Sequence, residues 1–173
     1  MRYCNEKMYV QHTGDSRRGF GCFARENISK GEVSRCLDAR LLTKVEVAML
    51  PQRYQGICYE VDDEHEMCPL DFDDLSAEWY MNRSCNPNMA TLPDLFTGIA
   101  LRDIEPGEEL TYDYATTDSR YADFECFCGA PNCRSIITGN DWMIPELQER
   151  YQGYFQKNIQ EKVDALLKRS PRP

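Results

Sequence analysis

The chain has 173 residues, 42% of them hydrophobic, which is enough to enclose the core of one compact domain. Its 29 acidic residues outnumber 20 basic ones and leave a formal net charge of −9. That balance argues against a protein whose chief task is to hold nucleic acid, and it suits either the approach of a basic protein or peptide or simple solubility.

The N-terminus "MRYCNEKMYVQHTG" lacks the apolar stretch of a signal peptide, and nowhere do eighteen apolar residues follow one another. The expectation is a soluble chain without a membrane partner, intracellular, cytoplasmic or nuclear. Nine cysteines would leave at least one unpaired in a secreted protein; metal ligands and core thiols in a reducing compartment explain the count better.

From Tyr9 to Arg40, "FGCFA" and "VSRCL" stand between the turn signals "TGDSRRG" and "ISKGE", which predicts short strands joined by tight turns. "TKVEVAMLPQRY" predicts one brief helix with Thr43 as its N-cap and Pro51 limiting its end. "GICYEV" reads as a strand. The carboxylate-rich "DDEHEMCPLDFDDLSAEW" reads as a solvated loop, or more sharply as a rim that attracts a basic peptide. "FTGIALR" and "ELTYDY" return to strand character, with Pro106-Gly107 between them in a type II turn. Beyond the last cysteine, Ile144, Leu147, Tyr151, Phe155, Ile159, Val163, Leu166 and Leu167 recur at three- and four-residue steps. A short helix from about Pro145 and a longer one from about Phe155 are expected, broken at Gly153 and packed back on the domain. The end, "KRSPRP", is expected to fray.

Cys126, Cys128 and Cys133 form CxCxxxxC. Three thiols so close in sequence make poor disulfide partners but can occupy three corners of a zinc tetrahedron, and Cys85, in the Asn/Pro turn "NRSCNPN", is an attractive fourth. The alternative is a loop of ordinary thiols. Cys4, Cys22, Cys36, Cys58 and Cys68 show no ligand spacing and read as buried structural thiols.

In this order, "RGFGCFA" (18–24), "NRSCNPN" (82–88), "GEELTYDY" (107–114) and "CFCGAPNC" (126–133) resemble the SET-domain protein lysine methyltransferases with a post-SET zinc motif. The resemblance spans about Arg18 to Arg134. It implies a mainly β, β-clip fold of small curved sheets, with the 82–88 segment threaded near "ELTYDY" in a pseudoknot. By this resemblance residues 1–117 form the catalytic domain, 118–138 the zinc-binding segment and 139–173 a helical extension. It further implies one structural zinc ion on Cys85, Cys126, Cys128 and Cys133, and S-adenosyl-L-methionine as cofactor, held by Gly19, Phe20, Gly21, Asn82 and Arg83. The sequence departs from the family at 83, where Arg replaces the usual His, a position read largely through its main chain. It departs again in "SAEWYM", before Asn82.

The same resemblance casts Tyr114 as the active-site tyrosine that positions amine and methyl group. Tyr112 stands where similar enzymes carry Phe or Tyr, so a hydroxyl there implies mono- or dimethylation of a lysine in a basic peptide such as a histone tail. Asp113 would point to the opposite side of the strand and act structurally. Tyr59 reads as packing rather than channel, and Phe127 as packing rather than an adenine cover. Two other functions stay open: a methyltransferase for one dedicated non-histone protein, and an inert binding module with the same fold, for which Arg83 is the main support.

Overall fold

The computed structural model describes residues 6–35, 38–93 and 97–169; Cys4, Cys36 and residues 170–173 of the chain's end lie outside them. In chain order the elements are β1 (Met8–His12), β2 (Phe20–Ala24), β3 (Val33–Arg35), β4 (Ala39–Thr43), α1 (Lys44–Met49), α2 (Gln52–Gln55), β5 (Tyr59–Glu60), β6 (His65–Pro69), β7 (Asn82–Arg83), β8 (Met89–Thr91), β9 (Thr97–Ala100), β10 (Glu109–Tyr112), β11 (Phe124–Glu125), β12 (Ile136–Ile137), α3 (Pro145–Arg150) and α4 (Lys157–Arg169).

The strands form four small sheets, ordered β1-β2-β10-β7, β3-β9-β8, β4-β6-β5 and β11-β12. Strands this short cannot each bury a core alone, so stability comes from pooling their apolar faces. Met8, Cys22, Ala24, Ile28, Met89, Ala100, Ile104 and Leu110 make one such pool between the first two sheets. The turn before β10 has Gly107 at φ +85° and closes with Glu108 N–H on the Glu105 carbonyl at 3.1 Å, the conformation that type II turns require of a glycine.

β7 joins β10 in parallel, with Thr111 opposite Asn82 and Tyr112 opposite Arg83. Asn88 secures this crossing, donating from Nδ2 to the Glu109 carbonyl at 2.9 Å and accepting the Thr111 N–H at 2.9 Å. The Asn-rich turn is therefore an adhesive for the strand that carries the tyrosines.

Three expectations are corrected. Thr43 caps α1, in a capping box with Glu46, and the helix stops before Pro51, but the segment holds two helices where one was expected, since Pro51 is also the N-cap of a second short helix, α2. The acidic segment contains β6, whose Glu66, Met67 and Cys68 are buried; Arg120 Nη1 meets Glu66 at 2.8 Å, so this carboxylate belongs to a partly buried ion pair and not to a solvated loop. The hairpin this creates sets Tyr59 opposite Met67, which leaves Cys58 facing Cys68. Those two are joined in a disulfide with Cα atoms 4.6 Å apart, not two separate thiols, within the span a bridge needs. Cys22 is a free, buried thiol as expected, and burial pushes its pKa up.

The C-terminal helices pack on the rest of the chain. Pro145 opens α3, and Gly153, at φ +86°, separates it from α4. Leu147, Tyr151, Phe155, Ile159 and Val163 surround Ala115, three residues beyond β10, and Gln156 N–H reaches the Thr116 carbonyl at 2.9 Å.

Candidate active site and cysteine centre

β10 ends at Tyr112; Asp113 continues in extended conformation, turns its side chain to the other face and caps a short 3-10 turn that begins at Tyr114. The two tyrosine rings come out together, with centroids 4.9 Å apart, at a cavity of about 800 Å³. Tyr114 Oη donates to the Met81 carbonyl at 3.4 Å. Burial, with Tyr114 close by, holds the Tyr112 hydroxyl well above its ordinary pKa. Burial likewise raises Tyr114, against an opposing pull from Arg83. Both are thus neutral donors and acceptors at any physiological pH.

Tyr59, Trp79, Tyr121 and Phe124 also line the cavity. Tyr59 had been read as packing; its ring lies 5.7 Å from that of Trp79, and it does both. Tyr121 and Phe124 escaped the sequence reading because they belong to a stretch without periodicity or motif, drawn in only by the fold: Tyr121 packs 6.3 Å from Tyr114 and 5.7 Å from Phe124. Glu66, Glu78, Asp118 and Arg120 add charge to the lining.

The glycine pair lies across the sheet. Gly19 is in the left-handed region at φ +64°, and its carbonyl accepts from Thr13 N–H at 2.9 Å. A Cβ on Gly21 would come within 2.7 Å of Glu109 Oε1 and 3.1 Å of Asn82 Nδ2, so a side chain there would displace the Glu109 carboxylate and press on Asn82. Asn82 Nδ2 donates to the Phe20 carbonyl at 3.0 Å and to Glu109 Oε1 at 2.9 Å. Glu109, held in turn by Arg18 at 2.5 Å, was missed as a member of this cluster because "EEL" reads as surface charge. Phe20 is 57% exposed beside it. Gly19, Phe20, Gly21 and Asn82 are therefore neighbours, whereas the Arg83 side chain turns away from them into the cysteines.

The Sγ atoms of Cys85, Cys126, Cys128 and Cys133 all lie within 4.8 Å of one another. A tetrahedral zinc with Zn–S bonds near 2.3 Å needs sulfurs about 3.8 Å apart, and four soft thiolates at this spacing fit that ion. Cys85 Sγ accepts the Arg134 N–H at 3.3 Å and Cys133 Sγ the Ser135 N–H at 3.4 Å, aided by Ser135 at φ 64°. Arg83 Nη2 donates to Cys85 Sγ at 3.1 Å and Nη1 to Cys126 Sγ. Phe127 lies under the Arg17 guanidinium, 4.1 Å from its ring centroid.

Asp113, on the far side of β10 from the tyrosines, is 1% exposed. It receives Arg134 Nη1 at 2.8 Å and Nη2 at 2.6 Å, Tyr151 Oη at 3.2 Å and the Ala115 N–H at 3.2 Å. One carboxylate thus holds the segment between Tyr112 and Tyr114, the cysteine segment and the C-terminal helices together.

The SET-domain family model matches residues 19–115, more than half of the chain, and takes in both the glycines and the tyrosines. The chain belongs to the SET-domain family. Outside that model, the SET chain is 28% identical over 156 residues to the Schizosaccharomyces pombe histone-lysine N-methyltransferase specific for H3 lysine 9, covering 70% of this chain and 31% of that one. It is 35% identical over 75 residues to methyltransferase flvH of Aspergillus flavus, 42% of each chain. It is 27% identical over 133 residues to the variant-silencing SET domain-containing protein of Plasmodium falciparum, covering 68% of this chain but 5% of that one. This SET chain spans less than half the length of each of these relatives.

Proposed function

We propose that this SET domain is an S-adenosylmethionine-dependent protein lysine N-methyltransferase that mono- or dimethylates a lysine in a basic peptide such as a histone tail. The observation that carries it is the pair Tyr112 and Tyr114, side by side at the aromatic cavity, at the end of β10, whose neighbouring strands carry Gly21 and Asn82. The S. pombe relative, a histone-lysine N-methyltransferase by its description, supports the same reaction class.

When bound, S-adenosylmethionine supplies a methyl group made electrophilic by its sulfonium. Gly19 and Gly21 let the backbone approach it closely, Asn82 offers a side-chain amide beside Phe20, and Arg83 contributes through its main chain. The fit rests on the cradle around Gly21, which a single Cβ would fill. A lysine arrives protonated, with an ordinary pKa near ~10.4, and has no lone pair to offer. The cavity walls Tyr59, Trp79, Tyr121 and Phe124 desolvate it, which favours the neutral amine. Tyr114 Oη and the Met81 carbonyl then orient that amine, and alignment of this kind contributes on the order of 7 kcal/mol or more in ideal intramolecular models. Tyr112 Oη occupies space and binds a remaining N–H, which limits further methylation. The four cysteines hold one structural zinc that fastens residues 126–133 beside the site.

An inert binding module is less well supported, because Arg83, the residue that favoured it, directs its side chain to the cysteines rather than to the cofactor side. The test is transfer of label from S-adenosylmethionine to core histones and, in parallel, to a cell lysate, with Tyr114→Phe as control. Label on histone that disappears in the variant supports the proposal. Label in the lysate alone points to one dedicated non-histone substrate, and no label in either, with cofactor and zinc bound, defeats the enzymatic reading.

A further inference from the structure

β7 sets Arg83 opposite Tyr112, and its side chain is buried, 8% exposed. Among the described residues, the hydrogen-bond acceptors of its guanidinium are two sulfurs, those of Cys85 and Cys126. Asp113 stands 4.0 Å away but is already gripped by both terminal nitrogens of Arg134. A desolvated cation with so small a share of a carboxylate needs another anion. Neutral thiols do not supply one; thiolates do. From the other side, four thiolates around one divalent ion carry two excess negative charges, which are costly to bury without a counter-charge.

We propose that Arg83 is the charge-balancing partner of the metal centre, donating to the thiolates of Cys85 and Cys126, slowing loss of the ion and shielding those two sulfurs from electrophiles. This rests on the reading of the four cysteines as zinc ligands. It also accounts for an arginine here: a planar fork presents a separate terminal nitrogen to each of the two sulfurs in fixed geometry, whereas an ammonium is a flexible point charge that must share one nitrogen between them. Arg134 complements it through its N–H on Cys85 and its pair with Asp113.

Zinc content of the wild-type protein is measured first, then the rate of zinc transfer to a competing chromogenic chelator for wild type, Arg83→Met and Arg83→Lys. Loss of a partner to a metal ligand weakens metal binding by roughly 10–100-fold, so Arg83→Met should surrender zinc faster by about that factor, with Arg83→Lys between. Alkylation by iodoacetamide, mapped by mass spectrometry, gives a second reading: Cys126 should react more slowly than the comparably exposed Cys128 and Cys133 in wild type, and lose that protection in Arg83→Met. If Arg83→Met does not fold, Arg83→Lys and the wild-type labelling contrast decide. Unchanged zinc transfer, or uniform labelling of the three cysteines in zinc-loaded wild type, overturns the role of Arg83 alone. A wild-type protein without zinc overturns the metal reading and this inference with it.

Discussion

Tyr112 and Tyr114 differ in what surrounds each hydroxyl. Tyr114 Oη has the Met81 carbonyl as a partner at 3.4 Å, while Tyr112 stands among Tyr59, Tyr114 and Tyr121, with burial as the main influence on it. Removing the Tyr112 hydroxyl therefore frees volume without removing the group that orients the amine. Tyr112→Phe is expected to raise the methylation state, moving product from mono- and dimethyl toward trimethyl-lysine in mass spectra; abundant trimethyl-lysine from the unmodified enzyme early in the reaction would contradict the assignment. These tyrosines were singled out in the sequence by resemblance to a family motif; alternation added only that Asp113 between them points the other way. Glu109, Tyr121 and Phe124 were not, since nothing local distinguishes a carboxylate that will meet Arg18 and Asn82 from one that will meet water.

At the scale of elements, the expected strands of the first sheet and both terminal helices were readable from turn residues and spacing. β6 was not, because five strand residues between carboxylates look solvated until Arg120 is brought in from 54 positions away. The Cys58–Cys68 disulfide was lost with that hairpin. Joining of β10 to the cysteine segment and α3 falls to Asp113, and the size of its contribution can be checked by urea denaturation. Asp113→Ala leaves Arg134 with only its ion pair to Asp141 at 3.0 Å and should cost up to ~3 kcal/mol, the low end for breaking a buried pair. Tyr151→Phe removes one hydroxyl contact to the same carboxylate and should cost about 0.5–1.5 kcal/mol. Equal and small losses in the two variants would mean that the carboxylate is incidental.

For the whole molecule, the metal should matter in proportion to how many segments it closes. The cysteines come from the turn after β7 and from the stretch between β11 and β12, elements otherwise joined by few residues. Chelation of zinc should lower the melting temperature and open residues 124–137 to hydrogen exchange, while the β1-β2 hairpin, buried against Ile28 and Leu110, keeps its protection. Unaltered exchange in 124–137 after complete removal of the ion would show that the segment closes without it. The acidic net charge was plain from composition, but how it is spread was not: Glu60 and Glu66 are buried and paired with the partly exposed Arg120 and Lys162, so part of it is cancelled within the chain.

Asp113 carries a last consequence. It is one residue from each tyrosine, yet its bonds go to Arg134 and Tyr151, so three parts of the chain share a single anion. If a peptide seated beside this strand draws Asp113 closer to Arg134, reciprocity requires that an ion on the cysteines favour peptide binding by the same factor, and the peptide in turn make the ion harder to remove. Zinc retention would then serve as a silent gauge of substrate engagement, readable even with a peptide that accepts no methyl group.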